Sequence, residues 1–175
     1  MKLSHNREVI LRMIEKKPEL GKTAVMKMVF ILQYVYKMKL GYSFDIYTYG
    51  PYTAEVSDDL DSLICGRFID AETYPYNNTL CYVFTANKKL KDLKSTLSPD
   101  DEQKISTVLK LFGDKKAKEL ELDSTIIYMK NSYVKNGWGD TKADIIKDVN
   151  EIKPHFSLDN IGRAYDILEK NNMLA

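Results

Sequence analysis

Cysteine and histidine, on which disulfide frameworks and most zinc sites depend, are scarce in this sequence. Its 175 residues include two cysteines, Cys65 and Cys81, and two histidines, His5 and His155. They form no CxxC pair and no close cluster, whereas a structural zinc site needs about four ligands at short spacing. We therefore predict no metal and no other cofactor, and we interpret both cysteines as reduced core residues of a cytoplasmic protein.

Long apolar runs and an excess of charge are also absent. The longest uninterrupted apolar run covers residues 28–32, far short of the ~18 residues that a membrane-spanning helix needs. No apolar segment follows the first lysine, so we expect no secretory signal and a cytoplasmic location. The 26 Lys and Arg residues nearly balance the 25 Asp and Glu residues, which excludes a strong overall attraction to nucleic acids or membranes.

The motifs of common enzymes are missing too. The chain contains no GxSxG and no GxGxxG sequence, the entry motifs of acyl transfer and dinucleotide binding. Residues 21–23 (GKT) look like the end of a P-loop, but Lys16 stands where that loop needs glycine. The carboxylates of Asp58, Asp59 and Asp61 are spaced so that a helix spreads them around its axis instead of converging them on one metal ion. The sequence therefore predicts a non-enzymatic protein.

Hydrophobic periodicity predicts a mainly helical α+β fold with a small three-stranded antiparallel sheet. We expect strands over residues 42–49, 68–73 and 80–85, the last two forming a hairpin around a turn at 75–78. Gly50-Pro51 is expected to end the first strand, because proline has no N–H for a ladder. Helices are predicted over residues 4–16, 22–39, 53–65, 98–112, 114–131, 141–153 and 157–171, with a short helix or turn over 86–93 and a loop over 132–140.

The second predicted helix is apolar on nearly every side, which is typical of a buried central helix. We expect residues 1–97 to form the first unit and residues 98–175 to form a helical extension packed on it. The predicted centre of the core consists of Met28, Phe30, Ile31, Leu60 and Leu63.

Part of the chain has a recognisable pattern of residues. It consists of an apolar helix with lysines, a strand, the triplet Tyr-Gly-Pro, another helix, and a glycine followed by apolar residues. The pattern is carried by residues 21–32 (GKTAVMKMVFIL), 44–52 (FDIYTYGPY), 59–63 (DLDSL), 66–69 (GRFI), 153–157 (KPHFS) and 172–174 (NML). It resembles the uncharacterised YwgA-like proteins of prokaryotes and, more distantly, the Panacea domain of SocA-like antitoxins.

This resemblance implies a winged-helix-like core with helical additions. The more distant relatives act by binding a toxin or a protease component, so it also implies a protein partner. In a DNA-binding winged helix, the recognition helix and the wing are basic because they face phosphates. Here residues 1–50 hold nine basic and four acidic residues, whereas residues 51–75 hold one basic and six acidic residues. The helix in the recognition position is therefore acidic and would repel a phosphate array.

We predict a protein-interaction module that is antitoxin- or adaptor-like. Nine of the twelve tyrosines lie between positions 34 and 82, where they either pack in the domain or anchor an interface. The expected partner-binding set, its carboxylates exposed to a basic partner, is Tyr49, Tyr52, Glu55, Asp58, Asp59 and Asp61. The alternative is a winged-helix DNA-binding transcriptional regulator that uses the basic residues Arg7, Arg12, Lys16, Lys17 and Lys22.

Overall fold

The computed structural model describes residues 3–88, 94–139 and 141–174. In these ranges the fold is a mainly helical α+β fold with a three-stranded antiparallel sheet and a separate two-stranded hairpin. The helices are α1 (His5–Lys16), α2 (Lys22–Tyr34), α3 (Ala54–Cys65), α4 (Pro99–Phe112), α5 (Ala117–Asn136), α6 (Lys142–Ile152) and α7 (Leu158–Lys170). The strands are β1 (Leu20–Gly21), β2 (Asp45–Tyr47), β3 (Gly50–Tyr52), β4 (Ile69–Tyr76) and β5 (Thr79–Ala86). The predicted fold class is confirmed.

Side-chain caps begin most of the helices where the sequence predicts. Ser4, Thr53, Ser98, Thr141 and Ser157 each accept a hydrogen bond from a backbone N–H in the first turn of the helix that follows. Such a cap satisfies an N–H that has no partner inside the helix and contributes about 1 kcal/mol.

Helix α2 is the centre of the core. Every residue from Val25 to Leu32 is buried, and α1, α4, α5 and the β4–β5 hairpin pack around this helix. The burial predicted for the central core residues is confirmed, since each of them is at most 1% exposed: Met28, Phe30, Ile31, Leu60 and Leu63.

The end of α2 differs from the prediction. The helix ends at Tyr34, and not near position 39, because Lys37 adopts a left-handed backbone conformation with φ of +55°. The chain then returns along the helix, where the Gln33 side chain donates to Tyr42 O at 2.8 Å and accepts from Tyr42 N at 2.9 Å. This amide gives the backbone of the returning segment the partners that a β-ladder would supply.

The predicted strand over 42–49 is wrong in length and in partner. Only Asp45–Tyr47 is a strand, and it pairs with Gly50–Tyr52 across a two-residue turn. The third place in the main sheet belongs to β1, which pairs with β5. Pro51 is tolerated in β3 because it lies opposite Ile46, next to the hydrogen-bonded pair that closes the turn, where no N–H is needed. Gly50-Pro51 thus begins a strand instead of ending one.

The β4–β5 hairpin is confirmed and is longer than predicted. Its turn is made by Asn77 and Asn78, both with positive φ, at +47° and +60°. This is the conformation of the type I′ turn, whose twist matches that of the two strands it joins. The sheet order is β1-β5-β4, so β4 is an edge strand.

Four further expectations are corrected or are left untested. Helix α5 continues to Asn136 and ends at the left-handed Gly137, so residues 132–136 are helix and not loop. Cys65 is exposed and Cys81 is half-buried, because one ends α3 outside its apolar stripe and the other lies in the hairpin. Most of the element expected over 86–93 lies outside the described residues. The division at residue 97 stays a prediction, although α4 and α5 pack directly on α2.

Candidate partner-binding surfaces

Helix α3 has one buried face and one acidic face. Val56, Leu60 and Leu63 are buried against the core, and helical geometry then turns the acidic positions outward. Glu55, Asp58 and Asp61 are exposed as predicted. No basic side chain in the described part of the chain pairs with Asp58 or Asp61. These two carboxylates are therefore available to a partner.

Asp59 does not belong to this exposed face, so its predicted exposure is wrong. Its carboxylate accepts from Arg7 Nε at 2.8 Å and from Tyr42 Oη at 2.6 Å, and its side chain is 15% exposed. Burial, together with this carboxylate, raises the pKa of Tyr42 well above its usual range. Asp59 thus ties α1 and the segment before β2 to α3. Sequence spacing misses this role because Arg7 is 52 residues away.

Glu55 has an internal role as well, although it is exposed. Its Oε2 accepts from the backbone N–H of Ser43 at 3.0 Å and from Thr53 Oγ1 at 3.2 Å. It therefore holds the chain that leads into β2 against the first turn of α3. One oxygen of Glu55 remains for an outside contact, while Asp58 and Asp61 keep both.

The two predicted tyrosines behave differently. Tyr49, in the turn between β2 and β3, is 70% exposed. Tyr52 is half-buried: its ring packs edge-on against Tyr47 with 5.4 Å between centroids, and its hydroxyl lies 3.4 Å from Ser57 Oγ. Tyr52 therefore fastens the β2–β3 hairpin, and the rings offered to solvent are those of Tyr49 and Tyr47.

A second exposed apolar surface follows α3 in the chain, and the sequence alone did not identify it as a binding surface. We call residues 70–82, the outer part of the β4–β5 hairpin, the arm. Its Tyr74, Tyr76, Leu80 and Tyr82 side chains are all exposed, Tyr76 by 63%. The charged residues of the arm are Asp70 and Glu72, with no lysine or arginine. The predicted hairpin covered this region, but its sequence did not show that residues 70–80 are exposed on both faces.

The basic residues of the DNA-binding alternative are mostly engaged with carboxylates. Arg7 pairs with Asp59 at 2.8 Å, and Lys17 pairs with Asp114 at 2.6 Å. Around Glu102 of α4, the Nε of Arg12 lies at 2.7 Å and the Nζ of Lys16 at 3.2 Å. Lys22 lies over the ring of Tyr82, 5.8 Å from its centroid. The positive charge of α1 is thus largely balanced at the α1–α4 and α1–α3 contacts.

A buried polar cluster holds the β2–β3 hairpin from beneath. Lys27 of α2, 2% exposed, donates to the carbonyl of Pro51 at 2.6 Å. Lys153, just after α6, donates to the carbonyls of Tyr47 at 2.8 Å and of Thr48. Burial lowers the pKa of Lys27 to about 8. Two ammonium groups thus replace the partners that these turn carbonyls would find in water.

Glu121 of α5 is the buried counter-charge of this cluster. Its Oε1 lies 3.2 Å from Lys153 Nζ and 3.4 Å from His155 Nε2, and no donor among the described residues is aligned for a hydrogen bond with it. The contact is therefore mainly electrostatic. Both cations belong to the KPHF segment of the sequence pattern, and Lys153 also joins this carboxylate to the backbone of residues 47 and 48, just before the YGP triplet.

Gly50 brings the hairpin into direct contact with α5. Its φ is +89°, and a Cβ built on it would lie 3.1 Å from Thr125 Oγ1 and 3.4 Å from the Glu121 carbonyl. Only glycine combines this backbone conformation with such a close approach. Packing thus explains the glycine of the Tyr-Gly-Pro triplet, while Tyr49 is exposed and Lys27 binds a backbone carbonyl that any residue at position 51 would supply.

A shallow cleft of about 530 Å³ adjoins the cluster. It is lined by residues 46–48, Ile152, Lys153 and His155. The Lys153 ammonium already donates to two carbonyls, so it is not free to bind a ligand there. Among the residues with described positions, no group of three or more His, Cys, Asp and Glu side chains is placed to hold a metal ion.

Comparison with known proteins finds no matching family model and no similar curated protein. The resemblance to YwgA-like proteins therefore stays a prediction. Across the described ranges, no helix has both the length and the apolar character to span a membrane.

Proposed function

We propose that this chain is a non-enzymatic, cytoplasmic protein-interaction module, antitoxin- or adaptor-like, that binds a basic protein partner. The observation that carries the proposal is the arm, which exposes the side chains of Tyr74, Tyr76 and Leu80 and whose only charged residues are acidic. Exposed apolar patches rimmed by polar groups are typical of protein-binding surfaces. The acidic face of α3 precedes the arm directly in the chain and adds to the same charge.

The order of elements supports a winged-helix-like core for this module. Leaving β2–β3 aside, the first half of the chain runs α1-β1-α2-α3-β4-β5, with sheet order β1-β5-β4. In this interpretation α3 takes the place of the recognition helix and the arm takes the place of the wing. The β2–β3 hairpin is then an insertion between α2 and α3.

Electrostatics favour a protein partner over DNA. A protein that neutralises phosphates needs free Lys and Arg side chains, and it gains affinity as counterions leave the DNA. Here the recognition-position helix and the arm carry carboxylates, and four of the five basic candidates contact Asp or Glu. Carboxylates around tyrosine anchors steer a cationic protein toward the surface, while the rings provide most of the binding free energy.

The test uses a photo-reactive amino acid placed at two positions of the full-length chain. p-Benzoylphenylalanine replaces Tyr76 at the tip of the arm in one variant and the exposed Lys118 of α5 in the control. After irradiation in the source cell, we expect the Tyr76 variant to give a discrete adduct with one basic protein, identified by mass spectrometry. The Lys118 variant should not give that adduct.

A charge-reversal variant separates the two candidate functions. Asp58→Lys combined with Asp61→Lys leaves every internal contact described above intact, so melting should change little. We expect it to weaken the arm adduct. Nucleic acid in the Tyr76 adduct, or salt-dependent retention of the wild-type chain on duplex DNA, would contradict the proposal in favour of the regulator.

A further inference from the structure

Strand β4 leaves one of its two edges unpaired. It is the last strand in the order β1-β5-β4, and every residue of it after Ile69 is exposed. An unpaired edge of this kind presents a row of backbone donors and acceptors that another extended chain can pair with.

The register identifies which backbone groups face that edge. Across the two-residue Asn77–Asn78 turn, Tyr76 and Thr79 form the first hydrogen-bonded pair, and such pairs then alternate along the ladder. The bond from Asn87 N to Phe68 O at 2.9 Å fits this alternation at the other end. Ala71, Thr73 and Pro75 are therefore the residues whose backbone groups turn outward. They offer three carbonyls but two N–H groups, because proline has none.

The side chains on one face of β4 change from acidic to aromatic along the strand. Because side chains alternate in a strand, Asp70, Glu72, Tyr74 and Tyr76 lie on the same face. Carboxylates stand toward the base of the arm and rings toward its tip. If another strand paired with β4, its side chains on the same face of the sheet would lie next to these four side chains.

We propose that the free edge of β4, from Ala71 to Pro75, receives an extended segment of the partner as a fourth strand. The inference rests on the proposed function and specifies how the partner binds. The segment carries lysine or arginine at alternate positions: these cations face Asp70 and Glu72, and their side chains also pack on the rings of Tyr74 and Tyr76.

A different chain fits this edge better than a second copy of the same one. If two β4 strands paired symmetrically about Thr73, each Pro75 would stand opposite Ala71 of the other copy. The Ala71 carbonyl would then lack a donor in both copies, because Pro75 has no N–H. Two acidic edges also gain no attraction from each other, whereas a cationic segment satisfies both the backbone and the charge.

The probe for this proposal is a fluorescein-labelled peptide of alternating lysine and threonine, titrated with the full-length chain and followed by anisotropy. The proposed segment runs antiparallel to β4, so its lysines face the acids from non-hydrogen-bonded positions and point their N–H groups away from β4, while the threonines point theirs toward it. N-methylation of the threonines should weaken binding by at least about tenfold, because several backbone hydrogen bonds are lost. N-methylation of the lysines should leave the affinity nearly unchanged.

Protein variants and a charge-reversed peptide complete the test. Thr73→Pro removes an outward N–H that the β4–β5 ladder does not use, and it should weaken the binding of the unmodified peptide by about tenfold. Thr73→Val keeps that N–H and should leave the binding unchanged. A peptide of alternating glutamate and threonine should not bind. If Thr73→Pro disturbs the arm itself, seen as a changed circular dichroism spectrum, the pair of N-methylated peptides decides.

The outcomes separate this inference from the proposed function. Equal binding of both N-methylated peptides would mean that charge alone attracts them, which would overturn strand addition. Failure of the unmodified peptide to bind would overturn it as well. In either case, a protein adduct at position 76 would still support the proposed interaction module. Self-association of the chain through β4, seen by sedimentation and abolished by Thr73→Pro, would make a second copy the occupant and overturn the proposal. Nucleic acid at position 76 would instead overturn the proposed function.

Discussion

The two hairpins of this protein share a local design and have opposite surroundings. Each has a two-residue turn, tyrosines near its tip and a proline in a strand. The β2–β3 hairpin lies on α5, and its carbonyls bind two buried lysines. The arm leaves a backbone edge and its rings in solvent. Whether such a hairpin supports the fold or presents a surface is therefore decided by what its carbonyls meet, and not by its own sequence.

The largest effect is expected from releasing the anchored hairpin. Lys153→Met leaves two turn carbonyls and the Glu121 carboxylate without their buried cation. Breaking a buried pair in this way costs about 3–5 kcal/mol of unfolding free energy, measured by urea denaturation. Lys147→Met on the exposed side of α6 is the matched control, expected within about 0.5 kcal/mol of wild type. Equal stabilities of the two variants would show that the hairpin does not depend on Lys153.

A smaller loss is expected where the hairpin meets α5. Gly50→Ala places a Cβ 3.1 Å from Thr125 Oγ1 and forces alanine to a φ of +89°. Such strain costs about 1–3 kcal/mol. Gly139→Ala provides the comparison, since a Cβ at Gly139 meets nothing within 4 Å. Thermal melting of both variants measures the difference, and a melting temperature unchanged in Gly50→Ala would contradict the close contact.

The buried lysine under the hairpin predicts a pH dependence. The pKa of Lys27 is about 8 in the fold and 10.5 in its absence, so between these values the unfolded chain binds more protons at this residue. The unfolding free energy of the wild type should therefore rise with pH, by about 1–2 kcal/mol from pH 8 to 9.5. Burial is the largest cause of this low pKa; the charge of Glu121 opposes it and the charge of Lys153 adds to it.

Lys27→Met isolates this contribution. Urea denaturation at several pH values should show that the rise is absent from the variant. The range stops below pH 10 because the pKa of Tyr42 is raised in the fold. At higher pH the unfolded chain loses the Tyr42 proton first, which lowers the unfolding free energy for a second reason. Parallel pH profiles for wild type and Lys27→Met would show that Lys27 does not titrate differently in the fold.

The smallest effect on stability is expected in the arm. Tyr76→Ser combined with Leu80→Ser removes two exposed apolar side chains that support no core contact. Unfolding free energy should change by less than about 0.5 kcal/mol, while binding of the alternating lysine–threonine peptide should fall severalfold. A large drop in melting temperature would mean that the arm is part of the core, which would remove the contrast between the two hairpins.

Local signals in the sequence predicted a large part of the fold. Serine and threonine caps mark the starts of five helices, the all-round apolar character of α2 predicts its burial, and the asparagine turn predicts the arm's hairpin. These features act within a few residues, or report burial directly. The third strand of the sheet was misassigned because two short segments, at 20–21 and 42–49, compete for it, and periodicity does not show which one reaches β5.

The candidate surface was less predictable, for the same reason that the two hairpins differ. Asp58 and Asp59 are adjacent residues of the same type, yet Asp59 contacts Arg7 and Tyr42 in a way that sequence spacing does not reveal. Tyrosine composition likewise does not separate the buried Tyr42 from the exposed Tyr76. In the sequence, Lys153 is simply a lysine near a helix end. Only the fold shows that it binds the carbonyl of Tyr47, 106 residues away.

That separation has a consequence for how the protein is made. Tyr47 leaves the ribosome 106 residues before the lysine that holds its carbonyl, which corresponds to roughly 5–20 s of synthesis. The arm needs no such wait, because its ladder pairs residues close together in the chain. A nascent chain stalled before position 153 should therefore already display the free edge of β4, while the β2–β3 hairpin is still open to chaperones and proteases.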